Sequence, residues 1–235
     1  MVGMKKLLIT SAVVLSLTAA LTGCGTPAQQ HLFTAFEQTA AAEQNVPAAF
    51  EQLKQLEQKD QTAYDNILAE GEQDSANVQT LITNTTESLA DRQKTLDDVK
   101  LQLEEAKKQL DESVNEVDKL KEESLKQQAE KVITAYTKRY EVYQTLYTRY
   151  GELLQAEQAV YDTLKAEDTQ LKSIQAAVAI RNQALHQVEE LKEQFNQYSV
   201  EFNQEKQAFY TASGIEIAQV NPTGTSEQSN SADQG

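Results

Sequence analysis

Apolar residues recur along most of this chain at alternating steps of four and three, the spacing that lines one face of an α-helix. The cleanest run is Val78, Ile82, Thr85, Leu89, Arg92, Leu96, Val99, Leu103, Ala106, Leu110, Ser113, Val117 and Leu120. It predicts one long helix over about Ser75–Lys121 with a heptad seam. An earlier segment, about Ala28 to Glu70, carries Leu32, Phe33, Phe36, Val46, Phe50, Leu53, Tyr64 and Ile67. Pro47 should kink it or restart it with proline at the first helical position, and Gly71 is its natural stop. Ser124-Leu125-Lys126-Gln127 fits a capping box and opens a third helix. That helix runs to about Ala166 through Val132, Tyr136, Tyr140, Tyr143, Tyr147, Tyr150, Leu154, Tyr161 and Leu164. Asp168 is placed to cap a fourth, which shows Leu171, Ile174, Val178, Arg181, Leu185, Val188, Phe195, Tyr198, Phe202 and Phe209.

Each predicted helix has about 40–47 residues, or roughly 60–70 Å at ~1.5 Å per residue. Matched lengths and short connections predict an all-α fold, an elongated four-helix up-and-down antiparallel bundle with a left-handed twist. An intermolecular coiled coil of one or two longer helices competes with it, because the break near residue 122 has neither Gly nor Pro. The bundle domain is drawn at 28–217. The polar stretch after it, 218–235, loses the period and reads as a disordered tail. Composition narrows the choice further. In 235 residues there are only 8 Gly and 3 Pro, too little turn chemistry for a strand-rich fold.

The start of the chain has a different pattern. Lys5 and Lys6 precede an apolar stretch, Leu7–Thr22, that is too short for a comfortable membrane span. It ends in Leu21-Thr22-Gly23-Cys24, the lipobox of bacterial lipoproteins. Residues 1–23 are therefore expected to be a signal peptide, starting at Met1 or Met4, cut between Gly23 and Cys24. The Cys24 thiol would carry a diacylglyceryl group, and residues 24–27 would form a lipidated tether. Two acyl chains are what stable anchoring requires. This gives the single cysteine a role, and it rules out an intramolecular disulfide framework. The formal net charge is −15, and cleavage removes two lysines and no carboxylate. An anionic membrane surface would then hold the mature chain by its lipid alone. The same acidity argues against nucleic acid as a partner.

A lipobox followed by four acidic helices resembles the cell-wall-binding lipoproteins of the YkyA type, found in Gram-positive bacteria. The likeness is best from Glu130-Lys131-Val132 through Tyr136, Lys138-Arg139-Tyr140, Tyr143, Leu146-Tyr147 and Tyr150, and again from Phe202 to Tyr210. It spans about Cys24 to Ile217. The resemblance implies a four-helix up-and-down fold and an envelope location, and it brings no catalytic residues with it.

Two constellations are candidates for chemistry. Tyr136, Tyr140, Tyr143, Tyr147 and Tyr150 lie on one helical face, flanked by Lys138, Arg139 and Arg149. An aromatic face can stack on sugars, and the flanking cations suit an anionic polymer such as teichoic acid. The plainer reading is that these rings are the seam of the third helix, their hydroxyls reaching the rim. The second constellation is Arg92 with Arg181, both at seam positions. Helix lengths put them in one layer with Glu51, Gln52 and Glu152, beside Gly151. Glu152 is the expected partner in a buried ionic layer that fixes register. An anion-binding pocket is the functional alternative.

Walker loop, nucleophile elbow, HExxH and EF-hand loop are all missing, and His31 and His186 stand apart. The chain reads as a non-enzyme without metal or cofactor. The expected role is a lipid-anchored, extracytoplasmic binding or spacer protein at the cell membrane, acting against peptidoglycan or teichoic acid. Capture of an envelope protein or secreted chain is the alternative.

Overall fold

The computed structural model describes residues 27–70, 75–166 and 170–215. Five α-helices, α1 (Ala28–Ala42), α2 (Val46–Glu70), α3 (Ser75–Ser113), α4 (Glu123–Lys165) and α5 (Leu171–Ala212), are joined by short connections. α1 and α2 together form the first arm of the bundle. A proline at position 47 would drive its ring into the carbonyl of Glu43 in a continuous helix, so the chain turns at Glu43–Asn45 and restarts. The break thus precedes the proline, which occupies the second position of α2 and not the first. α3 tightens into a 3₁₀ helix over Val114–Lys119 where an α-helix was expected to continue. Val114, Asn115, Val117 and Asp118 are all weak α-helix formers, and Val117 and Leu120 remain buried at a three-residue spacing.

α4 begins at Glu123 with extended Glu122 as its N-cap, two residues ahead of the Ser124 cap that the capping box suggested, and no side chain caps it. α5 begins after Gln170 and ends at Ala212. Gly214 takes a left-handed backbone, φ 68°, which lets the Ile215 amide reach back to the Tyr210 carbonyl and close the helix. The signal segment, Cys24, Gly71, Asp168 and the tail all lie outside the described residues.

The arms form one intramolecular antiparallel four-helix bundle. Asp60 on α2 meets Ser88 on α3, Tyr143 on α4 meets Leu96 on α3, and Tyr136 on α4 meets Phe202 on α5. The ring closes where Phe33 and Phe36 on α1 pack against Tyr210 and Phe209 on α5. α4 and α5 are the most intimate pair. Every seam position on α3 from Ile82 to Ser113 is buried, as are Val117 and Leu120 beyond it.

The core is not continuous. One apolar compartment gathers Leu32, Phe36, Leu110, Val132, Tyr136, Phe202 and Phe209. The other gathers Val46, Leu53, Leu96, Tyr143, Leu146, Tyr150 and Phe195. The first lies at the end where α1 starts and α5 finishes. At the opposite end α5 is loosely covered, with no residue buried before Val188 and Leu171 68% exposed.

Candidate functional site

Two ionic layers cross the bundle. In the first, the Arg92 guanidinium is 1% exposed. It donates to Glu157 Oε2 at 2.5 Å, to Asp60 Oδ2 at 3.2 Å and, through Nε, to the Tyr150 hydroxyl at 2.9 Å. The Tyr150 hydroxyl in turn donates to Glu57 Oε1 at 2.6 Å, and Glu57 also accepts from Lys192 at 2.7 Å. Arg181 reaches the second oxygen of Glu157 at 3.4 Å. All four arms of the bundle therefore contribute to one layer.

Burial works against the Arg92 cation, but Tyr150, Glu157 and Glu57 outweigh it and hold the group above its ordinary value. Burial pushes the Asp60 carboxyl up, opposed by the Ser88 hydroxyl and by Arg92. Burial likewise raises the Tyr150 phenol, with Glu57 adding to the effect, so its hydroxyl stays a donor at neutral pH.

Arg92 and Arg181 do share this layer, but the expected partner does not. Glu152 is 47% exposed on its side chain and pairs with Arg149 at 2.7 Å on the surface. Its level along α4 suits Arg92; its face does not, since it stands outside the row Tyr150, Leu153 and Glu157. Glu51 and Gln52 also stay out of the layer, whose α2 members are Glu57 and Asp60. An exposed i,i+3 pair contributes little. Glu152→Ala should therefore leave the urea midpoint within about 0.5 kcal/mol of the parent.

The second layer lies between the two apolar compartments, at the level of the α1–α2 turn. Arg139 donates to Glu43 Oε2 at 2.5 Å and to Ser199 Oγ at 2.7 Å. Its guanidinium lies 4.5 Å from the Phe195 ring centroid and 5.5 Å from that of Tyr136, whose hydroxyl also reaches Glu43. The break ahead of Pro47 leaves Glu43 at the end of α1, where its carboxylate neutralises a buried cation on the diagonal helix.

This arrangement takes apart the tyrosine strip. Tyr136, Tyr143 and Tyr150 are fully buried, Tyr140 and Tyr147 are half-buried on the flank, and Arg139 faces inward. Lys138 and Arg149 are exposed, about three turns apart on one side of α4, while Tyr136 and Arg139 turn into the core, so the five candidate ligand residues share no face. What remains accessible is a shallow groove between α4 and α5. There the Lys138 ammonium stands 5.8 Å from the Tyr198 ring centroid, beside Gln194 and Leu191.

A larger groove, about 470 Å³, lies between α2 and α3 and begins at the α1–α2 turn. Its floor is low because Ala48 and Ala49 are small. Asn45, Gln52 and Gln102 contribute amides, and Asp91, Lys94 and Asp98 line the α3 side. The Oε1 of Gln102 is buried without a hydrogen-bond partner. Among the described residues no cluster of His, Cys, Asp or Glu could hold a metal ion, and no helix is long and apolar enough to cross a membrane.

Residues 27–212, the whole bundle, match the family model of YkyA, described as “Putative cell-wall binding lipoprotein”. The chain belongs to the YkyA family. No curated protein and no solved structure matches it. The YkyA match runs through both ionic layers, both grooves and the helix break, so these are features of the matched domain and not of an appendage.

Proposed function

We propose that this protein is a lipid-anchored, extracytoplasmic rod that binds cell-wall polymer, acting by contact and spacing and not by catalysis. The match to YkyA over the entire bundle carries this reading. The lipobox supports the anchor, with Cys24 three residues ahead of the first described position. The geometry supports the spacing role. α4 has 43 residues, which at ~1.5 Å each is about 65 Å of rise. The α2–α3 and α4–α5 connections thus stand far from the end at which the lipid would enter the membrane.

Sedimentation tests the reading. Mature lipoprotein in detergent micelles should pellet with purified sacculi, and Ca²⁺ should not be required beyond screening the acidic surface. Failure to co-sediment with or without Ca²⁺ overturns the wall reading. In cells, Cys24→Ala should move the protein out of the membrane fraction; retention there would overturn the lipid anchor.

A further inference from the structure

The α2–α3 groove collects features that the bundle itself does not need. It begins where the first arm is broken, at the level where the apolar core is divided by Arg139 and Glu43. Ion pairs and i,i+4 bonds hold many exposed charges elsewhere, such as Lys107 with Asp111 and Arg149 with Glu152. In the groove, Asp91, Lys94 and Asp98 share one face of α3 at that same spacing, and their side chains have no partner among the described residues. The buried Oε1 of Gln102 also lacks a donor. A buried oxygen left without a donor is costly to keep unless a ligand completes it, and the three exposed charges beside it stand open to the same ligand.

We propose that this groove binds the peptide stem of the wall polymer, an extended peptide of about five residues carrying a free amine and carboxylates. The proposal rests on the wall-binding reading above and names the part of the polymer that is held. Length supports it. From Asp91 to Gln102 the helix rises about 16 Å at ~1.5 Å per residue, the reach of about five extended residues at ~3.3 Å each.

Charge order supports it too. A carboxylate, an ammonium and a second carboxylate follow one another along α3, complementary to a ligand that bears both an amine and a carboxylate. Asn45, Gln52 and Gln102 can each donate and accept, as a peptide backbone requires. A backbone N–H directed at Gln102 would satisfy its orphaned oxygen. The lining holds no aromatic ring on which a sugar could stack. Two carboxylates against one ammonium also disfavour a polyphosphate chain.

The test uses the mature lipoprotein in micelles with three probes: a synthetic stem pentapeptide with a lysine at its third position, the same peptide acetylated on that amine, and peptide-free glycan strands. Binding is read from amide signals of Asn45, Gln52 and Gln102 in NMR spectra and from titration calorimetry. The free-amine peptide should bind and shift these signals. Acetylation, or the double substitution Asp91→Asn with Asp98→Asn, should each weaken it by roughly tenfold or more. Both aspartates are exposed and unpaired, so the double variant should keep its helicity and unfolding midpoint. No binding by the peptide, equal binding by the acetylated peptide, or equal binding by the double variant overturns the proposal. Binding of the glycan strands with the same signals shifting overturns it as well. If sacculi still pellet the protein in any of those cases, the wall reading stands and only the peptide assignment falls.

Discussion

Arg92→Leu is expected to destabilise the bundle by about 3–5 kcal/mol, seen as a lower urea midpoint at unchanged slope. Leucine restores apolar volume but leaves Asp60 and Glu157 facing each other across a buried layer without the cation that joins them. Asp60 keeps Ser88 and Glu157 keeps the longer contact to Arg181, neither of which replaces a guanidinium at 2.5 Å. The loss should shrink in acid. A carboxyl whose folded value is raised favours the folded state below its unfolded value and loses that advantage as pH rises through the folded one. Asp60 is raised even with Arg92 beside it, and removing the cation raises it further. Converting Asp60 and Glu157 to leucine alongside Arg92 should recover most of the stability or exceed the parent, since a buried ionic cluster is no better than packed hydrocarbon. A single variant as stable as the parent at pH 7, or a triple variant no better than the single, would show that the layer carries its charges differently.

Phe36→Ala is the second large effect, about 3–5 kcal/mol by the usual cost of emptying an aromatic core site. Phe36 is fully buried and meets Phe209 edge-to-face at 5.3 Å. Its consequence should be local. α1 has only 15 residues, and the Glu43–Asn45 turn and the Arg139 layer separate it from α2. Leu32, Phe33 and Phe36 are its main apolar anchors. Hydrogen exchange should therefore accelerate over Ala28–Ala42 and at the end of α5, while Leu96, Tyr143 and Tyr150 stay protected. Uniform acceleration along all arms would mean that the two compartments unfold as one.

The seam of α3 was legible because one apolar row has no competitor on that helix. α4 offered two rows from Tyr136, one through Tyr140 and one through Arg139, each at steps of three and four. Hydrophobicity favours Tyr140, yet the buried row is Val132, Tyr136, Arg139, Tyr143, Leu146, Tyr150 and Leu153. Nothing local reveals this, because Arg139 is accommodated by Glu43, which is distant in sequence and sits at the helix break. Glu157 and Asp60 could have been found. Continuing the step from Leu154 reaches Glu157, and filling the gap between Leu53 and Tyr64 at the same steps reaches Glu57 and Asp60. Height along the rod points to Glu152, but its face on α4 turns it to the surface beside Arg149. The α2–α3 groove had no signal at all, since Ala48, Ala49 and scattered amides form a concavity only when two arms meet.

The closure of α1 against α5 has a mechanical consequence. Any pull applied ahead of Pro27 enters the bundle through α1, and the contacts that resist it, Phe33 with Tyr210, Phe36 with Phe209 and Glu37 with Lys206, are spread along the helix axis. Load along that axis strains them together, in shear, and cannot peel them apart one by one. A tether fixed at that end therefore pulls on the aromatic and ionic contacts that join α1 to α5, and the loosely covered far end of α5 is left out of the load path.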